Sequence, residues 1–218
     1  MATTLKTGMK RETSNVSDNV FLNIPYDDKF EPLCLAYIAG LCGFGLIPRA
    51  VLEIPESERR LNRILSLIRH CTISFHDLSR VELDLKRPPT PRFNMPFELG
   101  LAVAWRWRGD PGHRWYVFEA HGRRAEKSLS DLKGTEIYAH GGKPRGLLRE
   151  LTDVLVRQPH RPTVRELEAI LSDLEETAVK LKSELRTKSL FRARAFGDLV
   201  LAARKIAPSH VASLRQTS

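Results

Sequence analysis

Several features that would assign this chain to a particular class are missing from its sequence. No apolar run reaches the roughly 18 residues of a membrane-spanning helix, and the first residues lack the apolar segment of a secretory signal, so we expect a cytoplasmic protein without membrane contact. The three cysteines, Cys34, Cys42 and Cys71, have no metal-ligand spacing and lie in apolar segments. They are expected to be buried free thiols.

Metal-ligand spacing is also missing among the histidines, including His76, His113 and His140, so we expect no metal and no resident cofactor. What is plentiful is positive charge, with 35 Lys and Arg residues against 26 Asp and Glu residues and a net charge of +9. Such an excess makes nucleic-acid binding an alternative. It is the less favoured one, because the sequence has no helix-turn-helix, zinc-finger or aromatic RNA-binding motif.

Short apolar segments alternate with amphipathic segments over residues 18–157. Strands are predicted at 19–24, 44–51, 71–76, 115–118 and 135–140. Helical spacing separates or follows them at 30–42, 57–70, 123–133 and 146–156, and also in a helix that follows Asn94, carries Glu98 and ends near Trp107. A parallel strand pair needs a crossover helix, so this alternation predicts an α/β fold. We expect a five-stranded parallel, flavodoxin-like sheet with helices on both faces.

The chain divides into three parts by pattern. Residues 1–17 are polar and unpatterned and are predicted to be a flexible N-terminus, and 18–157 form the α/β domain. Residues 160–218 carry two long helical segments without strand signals and are predicted to form a C-terminal helical hairpin. Its apolar stripe needs a covering surface. We favour a second copy of the chain, hence a homo-oligomer through these helices, and packing within one chain is the alternative.

A single carboxylate stands out in the segment PRFNMPFELGLA, residues 91–102. Asn94 is a typical helix cap, Pro96 is tolerated only in a first turn, and apolar residues follow at helical spacing. This predicts that Glu98 lies in the first turn of a helix, where the helix dipole stabilises an ionised carboxylate by roughly 0.3–1 kcal/mol. An ionised glutamate at a cleft is a candidate nucleophile. The alternative is that Glu98 only complements the dipole.

Polar residues follow two of the predicted strands and should meet at one edge of the sheet, because parallel sheets bind ligands outside the carboxyl ends of their strands. Asp77 is the candidate catalytic partner of Glu98, and the alternative is that it caps the following turn. Arg80 and Arg92 are either ligand contacts or ion-pair partners of Glu82, Asp84 or Asp77. The full set of candidate substrate-binding residues is Asn23, Pro25, Tyr26, Ser79, Arg80, Arg92, Asn94 and Met95.

The helix start ELGLA with Glu98, Asp77 at the third strand's end, and the first-strand loop with Pro25 and Tyr26 resemble nucleoside 2-deoxyribosyltransferases. Toll/interleukin-1 receptor (TIR)-like NADases are similar in architecture. A group of uncharacterised bacterial proteins is similar over longer sequence segments, residues 20–27, 76–80 and 92–98. The resemblance covers roughly residues 19–157. It implies that Glu98 attacks the anomeric carbon of a nucleoside or nucleotide to form a glycosyl-enzyme intermediate. It also implies that Asp77 orients the base or ribose, and that Asn23 or Tyr26 contacts the sugar.

One position departs from the transferases, which usually carry an acidic residue six positions before the nucleophile, where this chain has Arg92. Guanidinium groups bind phosphate bidentately, so Arg80 and Arg92 favour a nucleotide or NAD as substrate over a plain nucleoside. Two functions remain open. One is an N-glycosidase or glycosyltransferase, which the TIR-like resemblance associates with antiphage defence, and the other is a non-catalytic nucleotide-sensing or assembly module.

Overall fold

The computed structural model describes residues 18–53, 59–80, 83–84, 87 and 90–216, so the segment predicted to be flexible, 1–17, lies outside the described residues. Its strands are β1 (Asn19–Asn23), β2 (Ile47–Arg49), β3 (Ile73–Asp77), β4 (Leu83–Asp84), β5 (Thr90–Pro91), β6 (Arg114–Glu119) and β7 (Ile137–Ala139). Five of them form an all-parallel sheet in the order β2-β1-β3-β6-β7. Counted within the sheet alone, this is the flavodoxin-like order 2-1-3-4-5, and the α/β prediction is confirmed.

Helices cover both faces of the sheet. They are α1 (Glu31–Gly43), α2 (Arg60–His70), α3 (Asn94–Arg108), α4 (Arg124–Ser128), α5 (Pro144–Val154), α6 (Val164–Glu184) and α7 (Ala193–His210). Alternate residues of β1 point to opposite faces, as the pleat requires. Val20 and Leu22 join the large core around α1 and α5, whereas Phe21 packs with α2 and with Ala102 of α3. The sheet is therefore enclosed between two apolar layers.

The C-terminal hairpin packs against α1 within the same chain. Helix α1 is apolar on all sides, with 11 of its 13 residues buried, because α5 and the sheet cover part of it and α6 and α7 cover the rest. Gly43 permits this approach, since a Cβ at this position would lie 2.4 Å from Leu167 Cδ2. Lys182 of α6 also pairs with Glu31 at 2.5 Å. The stripe on which the homo-oligomer prediction rested is thus covered intramolecularly, and the oligomer stays a prediction.

Two local predictions were wrong. The helix predicted at 123–133 is divided into α4 and a 3-10 turn at Ser130–Leu132, because Leu129 between them has φ −124° and ψ 75°. The segment between β3 and α3, for which no strand was predicted, contains the antiparallel pair of β4 and β5. In contrast, the prediction for the cysteines is confirmed, since Cys34, Cys42 and Cys71 are buried and free. None of the described helices combines the length and apolarity needed to cross a bilayer.

Candidate active site

A cavity of about 320 Å³ opens at the carboxyl edge of the sheet, beside the ends of β1 and β3 and the start of α3. The register places Asn23, the last residue of β1, opposite His76 of β3, so the segments after the two strands leave the sheet side by side. Six of the predicted site residues line this site cavity together with Ile24 and Arg60: Pro25, Tyr26, Arg80, Arg92, Asn94 and Met95. The prediction that these segments converge at one edge therefore agrees with their placement.

Glu98 lies one residue deeper in its helix than predicted. Helix α3 begins at Asn94, its N-cap is Phe93, and no side chain caps it, so the prediction that Asn94 caps the helix was wrong. Asn94 instead has helical backbone, and Pro96 is the third helical residue. As the fifth residue of α3, Glu98 falls outside the first turn, where the macrodipole is strongest. The predicted dipole stabilisation of Glu98 is correspondingly weakened.

Burial dominates the electrostatics of Glu98. The residue is 2% exposed, and its Oε1 lies 3.2 Å from Nη2 of Arg60, which comes from the first turn of α2. Burial raises the pKa of Glu98 above its ordinary value of 4.5, and the Arg60 guanidinium opposes this effect without cancelling it. The Arg60 side chain is itself 49% exposed. Glu98 is thus a buried carboxylate whose counter-charge is a surface side chain that solvent or a ligand can draw away.

Tyr26 lines the site cavity beside this ion pair. Burial, together with the negative charge of Glu98, raises the pKa of Tyr26 well above its usual range, and Arg60 acts in the opposite direction. The phenol is therefore neutral at physiological pH and keeps its proton. It can donate a hydrogen bond to an oxygen of a sugar or a phosphate in the cavity.

Asp77 has a complete set of partners behind the cavity. It is fully buried; Oδ2 accepts a hydrogen bond from Tyr37 Oη at 2.9 Å, and Oδ1 accepts one from Ser79 N at 2.9 Å. His140 Nε2 lies 3.2 Å from Oδ2, and Gly142 N–H donates to His140 Nδ1, so a neutral ring carries its proton on Nε2. Asp77 therefore closes the turn after β3 and ties it to β7. This arrangement matches the capping alternative. Asp77 and Ser79, whose Oγ meets His140, are not among the lining residues of the site cavity, and neither are Asn23 and Glu98, which lies behind Arg60.

Arg80 and Arg92 converge on Asp27, which directly follows Tyr26. The distances are 3.3 Å from Arg80 Nη2 to Oδ1 and 3.4 Å from Arg92 Nη1 to Oδ2. Asp27 was not among the predicted partners of the two arginines, and the side chains of the predicted partners Glu82 and Asp84 lie outside the described residues. One carboxylate thus holds two guanidinium groups at the cavity wall. A phosphate group would offer both arginines the same bidentate geometry with more charge.

A buried chain of hydrogen bonds runs from the site edge through the sheet. Asn23 Nδ2 lies 2.9 Å from His76 Nδ1, His76 Nε2 lies 2.9 Å from Ser74 Oγ, and Ser74 Oγ lies 3.0 Å from His113 Nε2. The far end is fixed, because His113 Nδ1 faces the carbonyl oxygen of Cys71 at 2.9 Å and can only donate there. With neutral rings, every donor in the chain then points away from the site. This series of bonds is called the histidine relay below.

Both rings of the relay are neutral at physiological pH. Burial lowers the pKa of His76 to about 3, and the nearby His113 ring, when it is protonated, lowers it further; burial likewise lowers the pKa of His113. The neutral relay fixes the orientation of Asn23, whose Nδ2 donates to His76 and, at 3.1 Å, to the carbonyl oxygen of Met95. Its Oδ1 is buried without a hydrogen-bond partner in the described structure. The relay thus holds an acceptor at the end of β1, the position predicted to contact a sugar.

No match was found when the chain was compared with protein-family models, with curated proteins and with solved structures. What is known of the chemistry of the site therefore comes from its own residues. Among the described residues, no group of three or more His, Cys, Asp and Glu side chains is arranged to hold a metal ion. The cavity wall instead combines three arginines, a neutral phenol and an amide side chain, which is the donor set of an anion site.

Proposed function

We propose that the site cavity binds a nucleotide or NAD and that Glu98 breaks the N-glycosidic bond of this ligand. The observation that supports this proposal best is the Glu98–Arg60 pair, in which a carboxylate that is 2% exposed has a half-exposed guanidinium as its counter-charge. A phosphate that attracts Arg60 would uncover the carboxylate at the moment of binding. Arg80 and Arg92 supply further positive charge at the same wall.

The proposed reaction has two steps. In the first, the bond between the anomeric carbon and the base nitrogen breaks, its electron pair leaves with the base, and a Glu98 oxygen bonds to the anomeric carbon. In the second, an oxygen of water or a nitrogen of another base bonds to the anomeric carbon, Glu98 leaves as the carboxylate with the electron pair of the broken bond, and the proton of the attacking group passes to solvent, giving hydrolysis or transfer. A carboxylate suits both steps because the transition states are oxocarbenium-like. Asn23 and Tyr26 would position the sugar, and Asp77 would act through the loop that it closes.

The second candidate function is a non-catalytic nucleotide-sensing or assembly module that uses the same cavity. It is favoured by the fact that Glu98 already has a cationic partner and a raised pKa, as a purely structural residue would have. In this case, ligand phosphates would compete for Arg80 and Arg92 without any bond being broken. The two functions therefore differ in what Glu98 does.

The deciding experiment is incubation of the purified protein with NAD, nucleotides and deoxynucleosides, followed by chromatography of released base. We expect base release by the wild type, its loss in Glu98→Gln, and retained ligand binding by that variant. Glu168→Gln is the matched control, because Glu168 is also paired with an arginine, Arg145 at 3.2 Å, but lies on α6 away from the site. Release by Glu98→Gln at the wild-type rate, or no release from any substrate, would refute the catalytic proposal.

The cellular setting is part of the proposal. An NAD-consuming or nucleotide-consuming enzyme in the cytoplasm would serve antiphage defence, so expression should be toxic and Glu98→Gln should relieve the toxicity. A homo-oligomer is also proposed, and light scattering on the full-length chain tests it. Deletion of 160–218 is unsuitable for that purpose, because it would expose the apolar face of α1 that α6 and α7 cover.

A further inference from the structure

A second and larger cavity of about 1070 Å³ lies between the core and the start of the C-terminal hairpin's second helix. Tyr26 and Arg60 line both this cavity and the site cavity. The two spaces are therefore neighbours across these two side chains. The larger space is called the arginine chamber below, because four arginines line it: Arg60, Arg63, Arg192 and Arg194.

The charge of the arginine chamber is strongly unbalanced. Glu53 is the one acidic residue among its described lining residues, and it already accepts hydrogen bonds from Arg49 Nε at 3.1 Å and from Ala50 N at 2.7 Å. Arg194 has a loose contact of 3.6 Å with Asp198, and its side chain is 80% exposed. Arg60 is paired with Glu98 at 3.2 Å, and the other three arginines add their positive charge to the same open cleft, which favours an anion there. A chain of phosphates is the anion that several guanidinium groups bind best.

Two further features of the chamber favour a phosphate chain attached to a ribose. The ring of Phe191 packs on the ring of Tyr26 with centroids 5.7 Å apart, so an apolar wall joins the chamber to the site cavity. Helix α7 begins at Ala193, and its N-cap, Arg192, makes no capping hydrogen bond. The first N–H groups of an uncapped helix are donors that add to the positive potential of the arginines.

We propose that the arginine chamber binds the phosphate chain of the nucleotide whose glycosidic bond lies in the site cavity. The ligand class is then a nucleoside di- or triphosphate or a dinucleotide, in which several phosphates extend beyond the sugar. The assignment of the nucleoside part to the site cavity rests on the proposed function. Phosphate binding by the arginine chamber does not, because it needs no catalysis. Selectivity for phosphate number comes from the hairpin, through Arg192 and Arg194.

The test measures binding by calorimetry in the Glu98→Gln background, where no turnover complicates the signal. The probes are orthophosphate, pyrophosphate and inorganic tripolyphosphate. We expect tripolyphosphate to bind more tightly than orthophosphate by about tenfold or more, since several charge-assisted contacts form. The double variant Arg192→Ser with Arg194→Gln should abolish this difference. Serine is chosen because it caps a helix well, so α7 keeps its start while the charge is removed.

The control is Arg204→Gln, an exposed arginine on the same helix outside the chamber lining. If Arg204→Gln and the double variant lose equal affinity for tripolyphosphate, the cause is general attraction of anions by a basic protein. That result would overturn the proposal. ADP provides the second arm. We expect it to bind more tightly than pyrophosphate because its nucleoside part enters the site cavity, and equal affinities would overturn the link between the two cavities. Phosphate binding without base release by the wild type would refute the catalytic proposal only.

Discussion

Two buried carboxylates at the same edge of the sheet are held in opposite ways. Asp77 accepts hydrogen bonds from the Tyr37 hydroxyl and from the Ser79 N–H, and His140 Nε2 lies 3.2 Å from its Oδ2. Glu98 is nearly as buried but is paired with a guanidinium that is half exposed. The partners of Asp77 cannot leave without unfolding a turn, whereas the partner of Glu98 can move into solvent. Burial alone therefore does not distinguish the two acids, and the exposure of the counter-charge separates Glu98 from Asp77.

The largest effect that tests this comparison is expected for Asp77→Ala. The change leaves the buried Tyr37 hydroxyl and the part-buried Ser79 N–H without their acceptor, and it removes the carboxylate beside the His140 ring. We expect a loss of about 3 to 5 kcal/mol in the free energy of unfolding, measured by urea denaturation. Asp153→Ala, a carboxylate on α5 outside the site, is the control. If Asp77→Ala lowers the free energy of unfolding as little as the control does, Asp77 has no such structural role.

Ser74→Ala is expected to have the next largest effect, because Ser74 is the middle member of the histidine relay. The expected loss in unfolding free energy is about 1 to 3 kcal/mol, since His76 and His113 each lose a buried partner. Ligand affinity should also fall, because Asn23 is no longer held in one orientation. Ser66→Ala on the exposed side of α2 should change neither quantity.

The pH dependence of stability separates the relay from Glu98. The pKa of His76 in the folded protein, about 3, is below its ordinary value of 6.5, so the unfolded chain binds the proton more readily. Stability is thus present above pH 6.5 and is lost as the pH falls below it. His76→Gln should flatten this part of the curve of unfolding free energy against pH. A curve that falls as steeply as that of the wild type would contradict the assignment.

Glu98→Gln should have the smallest effect on stability and the opposite pH dependence. Because the pKa of Glu98 is raised above 4.5 in the folded protein, its contribution to stability falls as the pH rises through that range. The free energy of unfolding of Glu98→Gln should therefore rise relative to that of the wild type as the pH approaches neutrality, with a difference within about 1 kcal/mol. A large loss of stability in Glu98→Gln would show that Glu98 is as structural as Asp77.

Much of the fold could be predicted because it depends on local periodicity. The alternation of apolar segments indicated the strands, and the rule for parallel sheets brought Pro25, Tyr26 and Met95 to one edge. The sequence also contained a signal for the packing of the C-terminal hairpin, but the prediction did not use it. Helix α1 is apolar on all sides, and such a helix must be covered on more than the face that meets the sheet.

The pairings at the site could not be predicted, because they depend on tertiary distances. Arg60 is 38 residues from Glu98 in the chain, and Asp27 is 53 residues from Arg80. Many arginines in a basic chain are equivalent candidates until the fold selects one. The start of α3 was mistaken for a different reason. Asn94 is a good cap by residue type, but Phe93 took the cap position, and a shift of one residue moved Glu98 beyond the first turn.

The position of the hairpin in the chain has a consequence for synthesis. Helix α7 leaves the ribosome after every strand of the sheet, yet it brings Arg192 and Arg194 to the wall of the chamber and covers part of α1. A nascent chain that ends before α7 therefore has the sheet and Glu98 but an incomplete arginine wall.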